Sequence, residues 1–360
     1  MKQLLGAALA AMAVGAQAQA TPNAADNPPA NPAANSAANP AANVAASTTR
    51  GYGARLEGFA YPHEQRRFKL TSQRQALEMV YMDVAPTAAP NGRTAVLLHG
   101  KNFCGATWQQ TISVLAGAGY RVIAPDQIGF CASSKPTGYQ FSFNQLAANT
   151  QALLQSLGIA KATVIGHSMG GMLAMRYALQ YPVQVEQLVA VNPLGLEDWQ
   201  AAGVPYASID TLYAQELKTT AASIKAYQLR FYYNGQWQPD YDRWVDMAAG
   251  LYAGPGRDAV AWNQAQTSEM IFTQPVIYEL PRLQVRTLLM IGGKDRTAPG
   301  ANRAPAAIAD GLGDYATLGR ATAKMIPGAS LIEFPTLGHS PQVESPREFH
   351  DALLRGLSAR

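Results

Sequence analysis

The chain has 360 residues, 48% of them hydrophobic and 14% charged, which is ample for one large core and, on length alone, for two domains. The formal charge of +4 is small for that length, and no dense Lys/Arg run occurs, so nothing points to a nucleic-acid partner. With only two cysteines, Cys104 and Cys131, a disulfide and a pair of buried thiols are both open readings.

Residues 1–20 read as a secretory signal peptide. Lys2 supplies the positive start, Leu4 to Val14 is apolar, and Ala18-Gln19-Ala20 fits the small-x-small cleavage rule, with a cut after Ala18 as the alternative. The apolar run is too short to span a bilayer comfortably, so no permanent membrane span is expected. This places the mature chain in the periplasm or outside the cell. Residues 21–49 consist almost wholly of Ala, Asn and Pro, with one charge, Asp26, and no aromatic residue. Such a stretch buries no core and reads as a disordered linker.

Order is expected from about Arg50. Ala54 to Tyr61 and Ala76 to Val84 read as two strands. Thr94 to Leu98 is a short apolar strand running into His99-Gly100-Lys101-Asn102-Phe103. Trp108, Ile112, Leu115 and Ala116 repeat at helical spacing. Tyr120 to Ala124 is the next strand, followed by Pro125-Asp126-Gln127-Ile128-Gly129 and a helix over Phe143 to Leu157. Further strands are expected at Ala162 to Ile165, Gln187 to Val191, Val285 to Ile291 and Ser330 to Phe334. Helices follow at Met169 to Gln180, Ala321 to Met325 and Pro346 to Leu357. Short apolar strands alternating with helices define an α/β fold: a mostly parallel sheet with helices on both faces. Sites in such sheets form beyond the carboxyl ends of the strands.

One stretch breaks the alternation. Residues 194–281 show helical segments, many large aromatics and no clear strand. They read as a helical cap inserted into a core made of residues 50–193 and 282–360, since a structureless loop of that length is implausible. Most of its aromatics are expected simply to pack.

The most informative segment is Gly166-His167-Ser168-Met169-Gly170-Gly171, between an apolar strand and a helix. A G-x-S-x-G turn there must be very tight. The glycines let the chain reverse, and the serine is left at the tip, at a helix N-terminus. A serine hydroxyl needs a base, and the base needs an orienting acid. Of five histidines, His339 suits the base, because it follows the last strand in a Gly-His-Ser loop. His63 lies in a polar segment, His99 braces a turn, and His350 is expected on the surface of the terminal helix or lightly buried. His167 should point away from the hydroxyl. Asp295, after Gly292-Gly293-Lys294, is the favoured acid, with Asp310, Asp314, Glu197 and Asp198 as rivals. The N–H groups of Met169 and Lys101 are the expected oxyanion donors. Asn102, Phe103 and His167 are candidate substrate contacts, with turn and packing roles as the alternatives.

These motifs, in the order Ser, Asp, His, resemble the α/β-hydrolase fold superfamily over Arg50 to Arg360. The resemblance implies Ser168 as nucleophile, Asp295 as acid and His339 as base. It also implies that the loops carrying Cys104 and Cys131 lie close together, so that a disulfide braces the rim of the site. His-Gly-Lys-Asn-Phe departs from the small or aromatic residues usual after His-Gly. Dehalogenases and epoxide hydrolases of this fold carry aspartate at the nucleophile position, so Ser168 argues against both. The expected activity is hydrolysis of a small carboxylic ester with an apolar portion. Lactone opening, C–C bond hydrolysis, peptide-terminal cleavage, acyl transfer and small-ligand binding without catalysis remain open alternatives. No metal cluster or cofactor fingerprint is evident, the chemistry needs neither, and the oligomeric state is not legible.

Overall fold

A computed structural model of the protein describes residues 50–358. The expected signal peptide and linker lie outside the described residues. Eight strands form one sheet: β1 (Gln65–Ser72), β2 (Gln75–Val84), β3 (Thr94–Leu98), β4 (Arg121–Pro125), β5 (Ala162–His167), β6 (Val185–Val191), β7 (Thr287–Gly292) and β8 (Ser330–Phe334). Their spatial order is β1-β2-β4-β3-β5-β6-β7-β8. β1 and β2 pair antiparallel, as do β2 and β4, and the remaining neighbours run parallel.

The central strands are buried along their whole length, which is why they read as continuous apolar runs. Alternate residues feed opposite faces. Val96 and Leu98 of β3 join one core with α2 (Phe143–Ser156) and α3 (Met169–Gln180). An earlier helix, α1 (Gln109–Gly117), packs on the other face, where Ala95 and Leu97 meet its Ile112 and Leu115.

Between β6 and β7 the chain inserts four α-helices and no strand: α4 (Ile209–Glu216), α5 (Ala221–Tyr227), α6 (Asp242–Ala253) and α7 (Arg257–Thr273). A π-helical turn, Gln228–Tyr232, continues α5. After β7 come α8 (Ala306–Ala309) and α9 (Tyr315–Met325), and after β8 come α10 (Pro341–Glu344) and α11 (Pro346–Ser358). Among the described residues, no helix is long and apolar enough to cross a membrane.

Two expectations are corrected. Ala54 to Tyr61 is not a strand. Leu56 and Gly58 both take positive φ, 54° and 98°, which breaks any extended run, and Phe59 packs edge-on between Tyr52 and Tyr61. The first strand is instead the polar Gln-Arg-Arg-Phe-Lys-Leu-Thr-Ser of β1, an edge strand whose side chains are mostly exposed. Second, His350 is buried, 5% exposed, with its Nε2 2.8 Å from Thr111 Oγ1. It faces α1 from α11, and burial pushes its imidazole down to about 4.

Candidate active site

The turn from β5 into α3 sets Ser168 at φ 57° and ψ −121°, a positive-φ conformation that non-glycine residues rarely adopt. Its neighbours explain how the chain tolerates this. A Cβ on Gly166 would stand 2.0 Å from the Gly170 carbonyl oxygen, and one on Gly170 would stand 2.1 Å from that of Leu98. Only glycine fits either place, so the spacing of the motif follows from the crowding of the elbow.

Ser168 Oγ lies 2.8 Å from His339 Nε2, and His339 Nδ1 lies 2.6 Å from Asp295 Oδ2. The three residues are buried: Ser168 is 3% exposed and the other two are wholly enclosed. Asp295 occupies a turn off β7, closed by its own N–H to the Gly292 carbonyl at 3.2 Å. The preceding Lys294 N–H donates to the Leu337 carbonyl at 2.9 Å, which fixes the acid turn against the loop that carries His339. Two more donors reach the Asp295 carboxylate: the Thr297 N–H to Oδ1 at 2.8 Å and the Asn192 side-chain amide to Oδ2 at 2.9 Å. Three of the four rival carboxylates bond elsewhere. Asp314 pairs with Arg296, Glu197 accepts from the Trp199 indole, and Asp198 accepts from the Tyr278 hydroxyl.

The turn after β3 stands beside the serine, since a Cβ on Gly100 would be 3.1 Å from that of Ser168. Among the described residues, the N–H groups of Lys101 and Met169 donate to no protein acceptor. His99 braces this turn as expected. The Gln127 N–H donates to its Nε2 at 3.0 Å, which leaves Nδ1–H to donate to the Gly100 carbonyl at 2.8 Å. Burial lowers its proton affinity, in keeping with a neutral ring.

The site opens into a cavity of about 750 Å³ between the sheet edge and the insertion. Asn102 and Phe103 line it, as do both cysteines. His167 does not, which corrects its place among the candidate contacts. Its Nε2–H donates to the His339 carbonyl at 2.8 Å and its ring stacks on Phe103, so it holds the base loop from beneath. Desolvation pushes its imidazole well below the usual range. Cys104 and Cys131 face each other with Cα atoms 5.9 Å apart, a separation that a disulfide spans.

Three contributors escaped sequence reasoning. Asn192 directly follows β6, and its side-chain oxygen accepts from the Gly292 N–H at 2.8 Å while its amide holds Asp295. Phe231 supplies the carbonyl that accepts the His339 N–H at 3.2 Å, and the Tyr232 ring lies 4.9 Å from the His339 ring. The only sequence signal was the position of Asn192 at the carboxyl end of a strand.

A sequence family described as alpha/beta hydrolase fold matches residues 95–346. A solved structure of a probable hydrolytic enzyme from Pseudomonas aeruginosa PAO1 is 60% identical, with a TM-score of 0.85 over 86% of this chain and 99% of that one. An AB hydrolase superfamily protein of Bacillus subtilis is 38% identical over 114 residues, which is 31% of this chain and 40% of that protein. A putative non-heme chloroperoxidase of Synechocystis is 28% identical over 58% of this chain and 76% of its own length. The chain belongs to the α/β-hydrolase fold family.

Proposed function

We propose that the protein is an exported serine hydrolase of carboxylic esters, with residues 194–281 serving as a cap over the site. The observation that carries this is the unbroken line from Ser168 Oγ through the His339 ring to Asp295, at 2.8 and 2.6 Å. Ser168 Oγ attacks the ester carbonyl carbon while His339 Nε2 takes the hydroxyl proton. The carbonyl oxygen becomes an oxyanion held by the N–H groups of Lys101 and Met169. Asp295 keeps the imidazole in the productive tautomer and stabilises its charged form. When the tetrahedral species collapses, the bond to the alcohol oxygen breaks and His339 returns the proton to it. Water then enters, gives a proton to His339 and attacks the acyl carbon. The acid leaves and Ser168 regains its hydrogen.

The cap supplies Tyr227, Phe231 and Phe272 to the cavity wall, which suits a substrate with an apolar portion. In an oxidising compartment the facing Cys104 and Cys131 form a disulfide that ties the oxyanion loop to the loop after β4. The test is release of p-nitrophenol from p-nitrophenyl butyrate by the mature protein and by Ser168→Ala. Release that falls by ~10³-fold or more in the variant supports the reading. Equal rates would refute it.

A further inference from the structure

Five cations and two carboxylates line the cavity, and most of them are engaged within the fold. Lys101 pairs with Glu216, Arg296 pairs with Asp314, and Lys135 donates to the Cys131 and Ser133 carbonyls. Arg230, Arg303 and Glu269 are left. Among the described residues, no ion pair joins Glu269 to either arginine, and neither arginine has a carboxylate partner. The wall therefore carries an excess of positive charge that the fold itself does not use.

Arg303 is held like a seat, not left as a loose surface charge. Residues 296–303 line the cavity without a break, from just after Asp295 to a short 3₁₀ turn that Arg303 closes. Three contacts fix the guanidinium. Its Nε–H donates to the Pro205 carbonyl at 3.0 Å. Its carbon lies 5.1 Å from the centroid of the Phe272 ring, which also lines the cavity. The group folds back over Gly300, where a Cβ would run into it. Only Nε is engaged: among the described residues, neither terminal nitrogen donates to an acceptor. A guanidinium fixed in this way presents its terminal N–H groups as a planar fork, and the group that matches the fork is a carboxylate. A phosphate dianion would ask for further cations at close range, whereas Arg230 stands exposed against the Phe231 ring, 4.9 Å from its centroid. Desolvation lowers the proton affinity of Arg303 with no neighbouring carboxylate to offset it, which an incoming anion would do.

We propose that Arg303 seats a carboxylate at the far end of the substrate's apolar portion, making the enzyme selective for carboxylate-bearing esters over neutral ones. The proposal deepens the ester-hydrolase reading and rests on it for the identity of the reaction. The test is a ligand-observed NMR titration of the Ser168→Ala protein with two acid esters and their neutral isosteres. Monomethyl adipate, with the acid on the acyl side, is set against methyl 5-carbamoylpentanoate. The 6-acetoxyhexanoate anion, with the acid on the alcohol side, is set against 6-acetoxyhexanamide. The expected result is that at least one acid binds ~10-fold tighter than its isostere. That preference should be lost when Arg303→Gln is added, be kept in part with Arg303→Lys, and weaken as NaCl is raised. Each preference is a ratio within one protein, so a partly folded variant does not mimic its loss. Neither acid preferred over its isostere, or a preference undiminished by Arg303→Gln, would overturn the proposal.

Hydrolysis of the same four esters by the native protein separates the two claims. Arg303-dependent binding of an acid with no ester cleaved would uphold the seat and sink the ester reading. Acids and isosteres cleaved alike, with no Arg303-dependent binding, would do the reverse.

Discussion

Lys101 Nζ lies 2.8 Å from Glu216 Oε1, so the side chain of the proposed oxyanion-turn residue is fastened to the end of α4. The Tyr252 hydroxyl donates to the other oxygen of Glu216 at 2.5 Å, and the next turn residue, Asn102, donates to the Tyr232 hydroxyl at 2.8 Å. The insertion thus grips the turn at two successive positions. The Lys101 and Glu216 side chains are each 17% exposed, so this pair is less screened than a surface ion pair.

Lys101→Met keeps the backbone N–H and removes only the grip. The expected loss in kcat/KM is within ~10-fold, well short of the ~10²–10³-fold lost with an oxyanion donor. Glu216→Gln should behave alike, and the double variant should be no worse than the worse single one, because the two act as a unit. Kinetics on p-nitrophenyl butyrate checks this. A larger loss in Lys101→Met would mean that the ammonium itself touches the reaction.

Asn192 gives Asp295 one of its donors and ties it to Gly292. Asn192→Ala should lower kcat by roughly 10-fold with little change in KM, as expected when a base loses the group that orients it. Asn192→Asp should be worse, because it sets a second carboxylate about where the amide lies, 2.9 Å from Asp295 Oδ2. Like charges that close cannot both ionise easily. A pH–rate profile that matches the native one in Asn192→Asp would contradict this.

Cys104 and Cys131 are 27 residues apart in sequence. Closing a loop of that length stabilises a fold by about 3–4 kcal/mol on chain-entropy grounds. Reductant should therefore lower Tm by several degrees in the native protein and leave Cys104→Ala/Cys131→Ala unmoved. Because both residues line the cavity, kcat/KM should fall as well. A reductant-insensitive Tm, with two titratable thiols after denaturation, would show that the pair is not bonded.

His350 gives a pH-dependent term. Its imidazole binds a proton near 6.5 in the unfolded chain but only at about 4 in the fold, because burial disfavours the charged ring. Between those values the unfolded state binds more protons, so stability is full above 6.5 and falls as pH drops toward 4. His350→Gln can keep a hydrogen bond to Thr111 and should lose less Tm between pH 7 and pH 5 than the native protein. The acid limb should flatten without vanishing, because His99 and His167 are lowered for the same reason. Superimposable limbs would contradict the assignment.

What sequence conveyed here follows the range of the physics. The elbow was legible because its crowding is local: Gly166 and Gly170 meet atoms within a few residues of themselves or on the adjoining strand. The central parallel strands β5 and β7 were legible because burial on both faces makes them apolar throughout. β1 was not, because an exposed edge strand carries polar side chains. Its hairpin also turns on Gln73 and Arg74, at φ 49° and 64°, where Asn-Gly would have been the recognisable signal. The roles of Asn192 and Glu216 depend on partners more than 100 residues away in sequence, and nothing near either residue announces them. His350 was misjudged for a similar reason, since only the packing of α11 on α1 buries it.

The central claim is that Ser168 is the nucleophile of an acyl-enzyme mechanism. Treating the mature protein with a fluorophosphonate, followed by intact-mass and peptide mass spectrometry, tests it most directly. The account predicts one adduct, on the peptide that contains Ser168, with no labelling of Ser168→Ala and strongly slowed labelling of His339→Ala. An unlabelled native protein, or an adduct that persists in Ser168→Ala, would contradict it.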